Sequence, residues 1–145
     1  MLTYRFVQEQ LESGSFARRP KVEILLKGKT AEMKFLALLD SGTDRTIIPK
    51  SVADFLGIDY AASDKTHFLG FGKEPFEAQE GQLEVIFIGR AKRERESIGR
   101  IPVLVMLTDG EQEPVLGCEG VFDQLKITFI EGRKIQITRA KRANW

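Results

Sequence analysis

The sequence has 145 residues, which fits one compact domain. Its 22 basic and 21 acidic residues give a formal net charge of +1, which argues against a protein that grips nucleic acid mainly by electrostatics. Because Cys118 is the only cysteine and His67 the only histidine, one chain has neither an internal disulfide nor a multi-cysteine or multi-histidine metal site. We expect no metal and no cofactor.

The first nine residues interrupt their apolar side chains with polar ones, and they lack the apolar stretch of roughly 7–15 residues that an export signal contains. Other apolar runs, such as 101–107, are far shorter than the ~20 residues that span a membrane. A single cysteine is compatible with a reducing compartment. The sequence therefore predicts a cytoplasmic, soluble protein with no membrane partner.

In chain order, residues 1–19 are predicted to form an N-terminal segment with a helix at 8–13, residues 20–138 one mainly β domain, and residues 139–145 a basic tail. Short apolar runs, several with alternating polarity, indicate strands. They lie at 22–26, 33–39, 83–88, 101–107, 125–129 and 135–137.

One helix has clear boundaries, with Ser51 as N-cap, Asp54 as the residue that answers the free amides, and Gly57 as the stop. A second short helix is predicted after Gly120, where it would bury residues 121, 122 and 125. The charged stretch 89–100 is predicted to be a solvated loop between strands.

Residues 36–43 place an aspartate where an apolar strand enters a turn of small and hydroxyl residues, Asp40-Ser41-Gly42-Thr43. An ordinary β-turn also favours Asp, Ser and Gly, so the tripeptide alone is weak evidence for a catalytic site. The context strengthens it, because a second apolar run at 46–49 and the short helix follow directly.

With this context the chain resembles the retropepsin-like, or retroviral-type, aspartic proteases over positions 20 to 130. The family pattern of two apolar residues, Asp, Ser or Thr, Gly and a short apolar strand matches residues 38–48. Residues 68–72 match the glycine-containing tip of a flap hairpin. Residues 115–117 match the second apolar-apolar-Gly motif, and residues 120–125 match the short helix that follows it.

The resemblance implies a closed-barrel-like acid protease fold, a single domain that forms a homodimer, and an aspartic endopeptidase that acts on extended peptides. This chemistry uses two carboxylates about 3 Å apart that share one proton, because like charges so close cannot both ionise. The sequence contains no second Asp-Ser/Thr-Gly motif. The second carboxylate is therefore expected to be Asp40 of another copy of the chain.

The same resemblance assigns roles to the residues that follow Asp40. Ser41 is expected to bond the partner's catalytic turn, and Gly42 to let the substrate backbone approach closely. Thr43 carries a hydroxyl that can donate to Asp40 and stabilise its ionised form, which predicts an acidic working range.

Four further residues are expected to contact substrate: Asp44, Gly70, Phe71 and Gly72. The last three would close over the peptide as a flap, although glycines at these positions are also consistent with a simple hairpin turn.

One position departs from the pattern of many retroviral members, which place an arginine after the second glycine and pair it with the aspartate four positions beyond the catalytic one. Here Cys118 occupies that place. Either another arginine, such as Arg5, Arg18 or Arg19 from one of the two chains, supplies the charge, or Asp44 lies in a wetter environment than in the family. Cys118 itself is predicted to be a small buried filler. The strand at 134–138 is the candidate for a terminal contribution to the dimer interface.

Two other functions stay open at this point. The first is a non-catalytic dimeric module with the same fold, which binds peptides in its cleft without cutting them. The second assigns the function to the basic tail, with the barrel as a scaffold for nucleic acid or an acidic partner, and the near-zero net charge counts against it.

Overall fold

The computed structural model describes residues 1–61, 65–69, 75–91, 93–108 and 113–140. The strands run in chain order as β1 Leu2–Arg5, β2 Val7–Gln10, β3 Phe16–Arg19, β4 Lys21–Lys27, β5 Glu32–Leu39, β6 Thr46–Pro49, β7 Thr66–Leu69, β8 Pro75–Ile88, β9 Arg95–Met106, β10 Val115–Leu116, β11 Leu125–Ile130 and β12 Lys134–Arg139. One α-helix, α1, covers Lys50–Leu56, and a 3₁₀ helix covers Phe122–Gln124. The predicted mainly β, single-domain fold is confirmed.

A closed barrel forms the body of the molecule. Among the described strands, β4, β5, β10, β6, β9 and β8 pair in that order, and β8 returns to pair with β4. The pairs β5–β10 and β6–β9 are parallel, and the other pairs of the ring are antiparallel. Closure leaves few free edges in the ring, which is a common way for β proteins to avoid edge-to-edge association.

Alternation along the strands explains why the chain closes around one core. On β4, Val22, Ile24 and Leu26 are fully buried, while Glu23 between them is only partly buried. They join a core cluster that includes Phe87 of β8. Each such side chain stabilises the fold by about 1.5–3 kcal/mol by leaving water. A shift of one residue in the strand pairing would turn these side chains to the other face, so the period-two pattern also specifies the register.

Helix α1 follows β6 directly, and its start differs from the prediction. The N-cap is Pro49, whose extended backbone ends β6 and whose side chain makes no capping hydrogen bond, so the prediction of Ser51 as N-cap is wrong. Proline has a fixed φ and no N–H to donate to a strand partner. Strand β6 therefore ends at Pro49, and the N-cap lies two residues before the predicted one. Gly57 ends the helix as predicted, in a left-handed conformation with φ 72°.

The N-terminal segment contains strands, and the predicted helix at 8–13 is wrong. In β1, Leu2 and Tyr4 are buried, whereas Thr3 is half-buried and Arg5 is exposed. This alternation is the two-residue period of a β-strand. Strands β2 and β3 form a hairpin in which Gln10 pairs with Phe16. Gly14 supplies the positive φ of 84° that the intervening turn uses.

The second half of the stretch 89–100, all of which was predicted as a loop, is strand. Arg95 pairs with Ile88, and Ile98 is buried, so β9 begins well before the apolar run at 101–107. The loop prediction followed the dense charge of this stretch, whereas cross-strand pairing with β8 decides its structure. Beyond Gly120 the predicted second helix is a single 3₁₀ turn, with Val121 and Leu125 buried on either side.

A second, smaller sheet combines the two ends of the described chain in the order β1-β12-β11. Strand β12 lies in the middle and pairs with β1 on one side and β11 on the other. Both of its backbone edges are therefore occupied within this subunit. The prediction that residues 134–138 contribute a strand to an interface needs this revision, because only β1 and β11 lie at edges of this sheet.

Candidate active site

The Asp40 turn begins where β5 leaves the barrel. Leu39 pairs with Leu116 in the parallel β5–β10 ladder, and the Asp40 N–H continues the ladder by donating to the Leu116 carbonyl over 3.0 Å. Leu39 and Leu116 are both buried, whereas Asp40 is only half-buried. The strand thus fixes the backbone position of Asp40 and leaves its carboxylate near solvent.

Two neutral donors orient the Asp40 carboxylate. The Gly42 N–H donates to Oδ1 over 2.9 Å, and the Thr43 hydroxyl donates to Oδ2 over 3.0 Å. The Thr43 N–H also donates to the Asp40 carbonyl over 3.2 Å, which closes the turn. Donors on both oxygens restrict the side chain to one orientation.

The loop after β10 packs against the Asp40 turn through backbone hydrogen bonds. The Cys118 N–H donates to the Thr43 carbonyl over 2.9 Å, and the Glu119 N–H donates to the Asp44 carbonyl over 2.8 Å. The buried Thr46 hydroxyl accepts the Gly117 N–H over 3.2 Å. The two motifs found in the sequence therefore form one structural unit.

Gly117 is required by how closely these two segments approach each other. A Cβ atom at this position would lie 2.5 Å from the Arg45 carbonyl oxygen and 2.7 Å from the Thr43 carbonyl oxygen. These oxygens belong to the backbone of the Asp40 turn, so a side chain at position 117 would push that turn away.

The other predicted site residues take different positions. Ser41, Gly42 and Asp44 are all exposed, and the half-buried Cys118 thiol donates to the Ser41 carbonyl over 3.3 Å. Cys118 thus packs on the Asp40 turn and is less buried than its predicted filler role implies.

The flap prediction lies partly outside the described residues. Strands β7 and β8 pair antiparallel as far as Leu69 and Pro75, which is the hairpin that the sequence led us to expect. Gly70, Phe71 and Gly72 belong to the stretch 70–74, which lies outside the described residues.

Asp44 is exposed in this subunit, and the arginine next to it in the chain is one that sequence reasoning missed. In the described ranges, neither Arg5, Arg18 nor Arg19 forms an ion pair with Asp44, and Arg19 instead pairs with Glu9 at 3.7 Å. The cation of this region is Arg45, one residue further along the turn.

Arg45 contacts two carboxylates. Its Nε lies 3.0 Å from Oε2 of Glu119, and its Nη2 lies 3.0 Å from Oε1 of Glu80. A sequence signal was present, because Glu119 directly follows the cysteine that replaces the family's arginine. An acid at position 119 and a base at position 45 indicate an ion pair in which the base and the acid have exchanged places relative to the family pattern.

The sequence profile of the aspartyl protease family matches residues 22–120, more than half of the chain, and this range contains both the Asp40 turn and Gly117. The chain belongs to the aspartyl protease family. No curated protein sequence matches this family member significantly.

Solved structures with a similar fold include three retropepsin-like proteins. A retropepsin-like aspartic protease from Rickettsia conorii has 16% identity and a TM-score of 0.51, and the match covers 92% of this chain and 98% of that one. The retroviral protease-like domain of Ddi1 from Leishmania major has 14% identity, a TM-score of 0.44, and coverages of 85% and 98%. EIAV protease in complex with the inhibitor HBY-793 has 19% identity, a TM-score of 0.41, and coverages of 77% and 88%.

A cavity of about 670 Å³ lies apart from the Asp40 turn, and Asp40 is not among the residues that line it. Residues with charged or polar side chains that line it include Lys27, Lys29, Asp59, Tyr60, Glu80 and Arg100. The cavity contains neither of the two family motifs, and the charges that line it are of mixed sign.

Within the described ranges, no group of three or more His, Cys, Asp or Glu side chains is arranged to hold a metal ion. No helix in the same ranges is long and apolar enough to cross a membrane. The oriented carboxylate of Asp40 is a group that can accept or donate one proton.

Proposed function

We propose that this chain is an aspartic endopeptidase that hydrolyses extended peptides, with a water activated by two Asp40 carboxylates, one from each subunit of a homodimer. The observation that carries this proposal is the orientation of Asp40 by the Gly42 N–H and the Thr43 hydroxyl at the end of a barrel strand. Membership of the aspartyl protease family supports it.

The mechanism follows from placing two such carboxylates about 3 Å apart, where they share one proton. The ionised Asp40 removes a proton from a water as its oxygen attacks the scissile carbonyl carbon, while the protonated Asp40 donates to the carbonyl oxygen. The Asp40 that took the water proton then gives it to the departing amine as the C–N bond breaks, and the other Asp40 recovers its proton from a hydroxyl of the intermediate as the carboxyl group forms. Water supplies the oxygen and both hydrogens, so the pair is regenerated without a cofactor.

The homodimer is needed because the sequence has a single Asp-Ser-Gly motif. A two-fold axis between two Asp40 turns would bring the carboxylates together and place each Ser41 against the opposite turn. Ser41 and Gly42 are exposed in the single subunit, which is consistent with a surface that a second copy covers.

Substrate would lie in the cleft across this axis, under the β7–β8 hairpins of the two subunits. We assign substrate contacts to the exposed Asp44 and to Gly70, Phe71 and Gly72, which follow β7 in the sequence. Backbone groups of a flap can add strand-like hydrogen bonds to an extended peptide and exclude bulk water.

The deciding experiment compares the wild type with Asp40→Asn on a diverse peptide mixture from about pH 3 to pH 7, the range over which carboxylates titrate. New peptide termini are read by mass spectrometry. We expect cleavage by the wild type and none by the variant, because the amide cannot serve as the shared-proton acid or base. Asp54→Asn is the matched control, since it removes an exposed carboxylate on α1 and should cut like the wild type.

Cleavage by Asp40→Asn at the wild-type rate would overturn the proposal and indicate a contaminant or another site. A wild type that binds a statine-type mimic or a peptide without cutting would favour the non-catalytic peptide-binding module. Activity should also fall more steeply than enzyme concentration on dilution below the dimer dissociation constant.

We also propose a cytoplasmic location, supported by the single cysteine of the sequence. Imaging of the tagged full-length protein in its own cell tests it, and a signal outside the cytoplasm would contradict it.

A further inference from the structure

We propose that Arg45 is a positioning residue, which holds the Asp40 turn against both the loop after β10 and the flap strand β8 through its contacts with Glu119 and Glu80. The inference rests on the proposed protease function and adds a residue that this function alone does not assign. It starts from two distances of 3.0 Å, one to each carboxylate.

Burial distinguishes this cluster from an ordinary surface ion pair. The Arg45 side chain is only 21% exposed, and its Nε and Nη2 atoms are shielded from solvent. The two carboxylates are each 54% exposed, so the cation is the desolvated partner. A desolvated guanidinium that loses its carboxylates is costly, and the surrounding segments must move to hydrate it.

The position of Glu119 connects the ion pair with the backbone contacts of the site. Its N–H donates to the Asp44 carbonyl over 2.8 Å, and its carboxylate meets the next residue of the same turn, Arg45. One residue of the second loop therefore contacts the Asp40 turn through both backbone and side chain. A change in this ion pair acts four to five residues from Asp40, within the unit that carries the carboxylate.

Glu80 extends the contact to the flap hairpin. It lies on β8 opposite Leu104 of β9, on the strand that runs from the hairpin tip into the barrel. Through Nη2 the guanidinium joins this strand to the Asp40 turn. The base of the flap and the turn with the catalytic carboxylate are thus held at a fixed distance in each subunit.

The polarity of the cluster is opposite to the one that the family resemblance implies. There, an arginine follows the second glycine and pairs with an acid on the catalytic turn. Here, the base is Arg45 on the turn, the acid is Glu119 on the second loop, and Cys118 fills the usual arginine position. Asp44, released from that pairing, is exposed.

The test compares steady-state kinetics of the wild type with Arg45→Met, Arg45→Lys and Glu119→Gln. We expect Arg45→Met to lower kcat/KM by about tenfold to 100-fold, mostly in kcat, the range expected when a reacting group shifts by about 1 Å. Arg45→Lys should recover part of the loss. Arg45→Met combined with Glu119→Gln should cost little more than Arg45→Met alone, since both remove the same contact.

Arg18→Met is the matched control, because Arg18 is an exposed arginine on β3 and its loss should leave kcat/KM unchanged. The inference is overturned if kcat/KM of Arg45→Met stays within about twofold of the wild-type value, which is the change usual for an ordinary surface substitution. It is also overturned if the losses of Arg45→Met and Glu119→Gln simply multiply. If Arg45→Met does not fold, the Arg45→Lys and Glu119→Gln kinetics carry the test.

Amide hydrogen exchange tests the inference without any need for activity. In Arg45→Met, or in Glu119→Gln, the amides of Cys118 and Glu119 should exchange faster than in the wild type and in Arg18→Met, because they bond the Asp40 turn. An inactive wild type with this exchange response would remove the proposed function and keep the positioning role. Unchanged exchange at both amides would remove the positioning role even in an active protease.

Discussion

Two carboxylates, Asp40 and Asp54, each accept two hydrogen bonds, but from different kinds of donor. Asp40 accepts from the Gly42 N–H and the Thr43 hydroxyl, which belong to its own turn. Asp54, on α1, accepts from the Lys50 ammonium over 2.7 Å and the Tyr60 hydroxyl over 2.6 Å. In the described ranges no lysine or arginine forms an ion pair with Asp40.

The difference shows that a carboxylate can be held in one orientation with or without a neighbouring positive charge. Neutral donors fix the direction of Asp40 and place no positive charge beside it. A lysine one helical turn away stabilises the ionised form of Asp54, and the pair is roughly half exposed. The proposed acid and base chemistry depends on the first arrangement, whereas Asp54 is one member of a surface ion pair.

The largest expected effect comes from Gly117→Ala, which breaks the support of the Asp40 turn. The new Cβ would lie within 2.7 Å of two backbone oxygens, at Thr43 and Arg45, which cannot rotate away. We expect a loss of about 3 kcal/mol in the free energy of unfolding, together with loss of activity. Chemical denaturation measures the first and the peptide assay the second.

Gly14→Ala is the control, because it is strained by its φ of 84° but meets no atom within 4 Å. It should cost about 1 kcal/mol and leave activity unchanged. A Gly117→Ala variant as stable as Gly14→Ala would show that the close approach is not required.

Removing one neutral donor should have the next largest effect. Thr43→Val keeps the shape of the side chain and deletes the hydroxyl that donates to Asp40 Oδ2 over 3.0 Å. Because the carboxylate then keeps only one of the two hydrogen bonds that fix its orientation, it should be placed less well for the reaction. We expect kcat/KM to fall by about tenfold, as for the loss of a hydrogen bond to a charged group. Steady-state kinetics measures this. Thr43→Ser should behave like the wild type, and an unchanged kcat/KM in Thr43→Val would contradict the role.

Tyr4 sharpens the comparison, because its buried hydroxyl has no hydrogen-bond partner, neutral or charged, among the described residues. Burial, followed by the negative charges of Glu23 and Glu94, raises the pKa of Tyr4 well above its usual value. Folding therefore favours the neutral phenol. Below about pH 10 this does not change the free energy of unfolding, because Tyr4 is neutral in the unfolded chain as well. Above that pH the free energy of unfolding decreases as the pH rises. Tyr4→Phe should stabilise by up to about 1 kcal/mol and should lose less stability than the wild type in alkaline denaturation curves. A clear destabilisation would indicate a partner for the hydroxyl.

Asp54→Asn should have the smallest effect. Hydrogen bonds from Lys50, and then from Tyr60, lower the pKa of Asp54 below its usual value. A lowered pKa means that the stabilisation is present above about pH 4 and is lost as the pH falls through the folded-state pKa. Because the pair is exposed, Asp54→Asn should cost at most about 0.5 kcal/mol at pH 7, with no difference from the wild type near pH 2. Urea denaturation at the two pH values checks this, and a larger cost at low pH would reverse the assignment.

Local patterns carried much of the fold. The predicted runs at 22–26, 33–39, 83–88, 125–129 and 135–137 all lie within observed strands, because period-two burial is encoded residue by residue. The N-terminal segment was harder, since the exposed Leu11 and Phe16 offer little burial to indicate a strand. Its hairpin depends on pairing between β2 and β3, which single-strand periodicity does not report.

The sequence by itself determined the strand pattern and the placement of Asp40 at the end of one strand, since both follow from the order of neighbouring residues. Only the tertiary structure decided how Gly117 meets the Asp40 turn and which acids Arg45 contacts. Glu80 and Glu119 are both far from Arg45 in the chain, and the pairing of β10, β6, β9 and β8 side by side brings the three residues together. Charge pairing across such distances depends on geometry, which residue order alone does not specify.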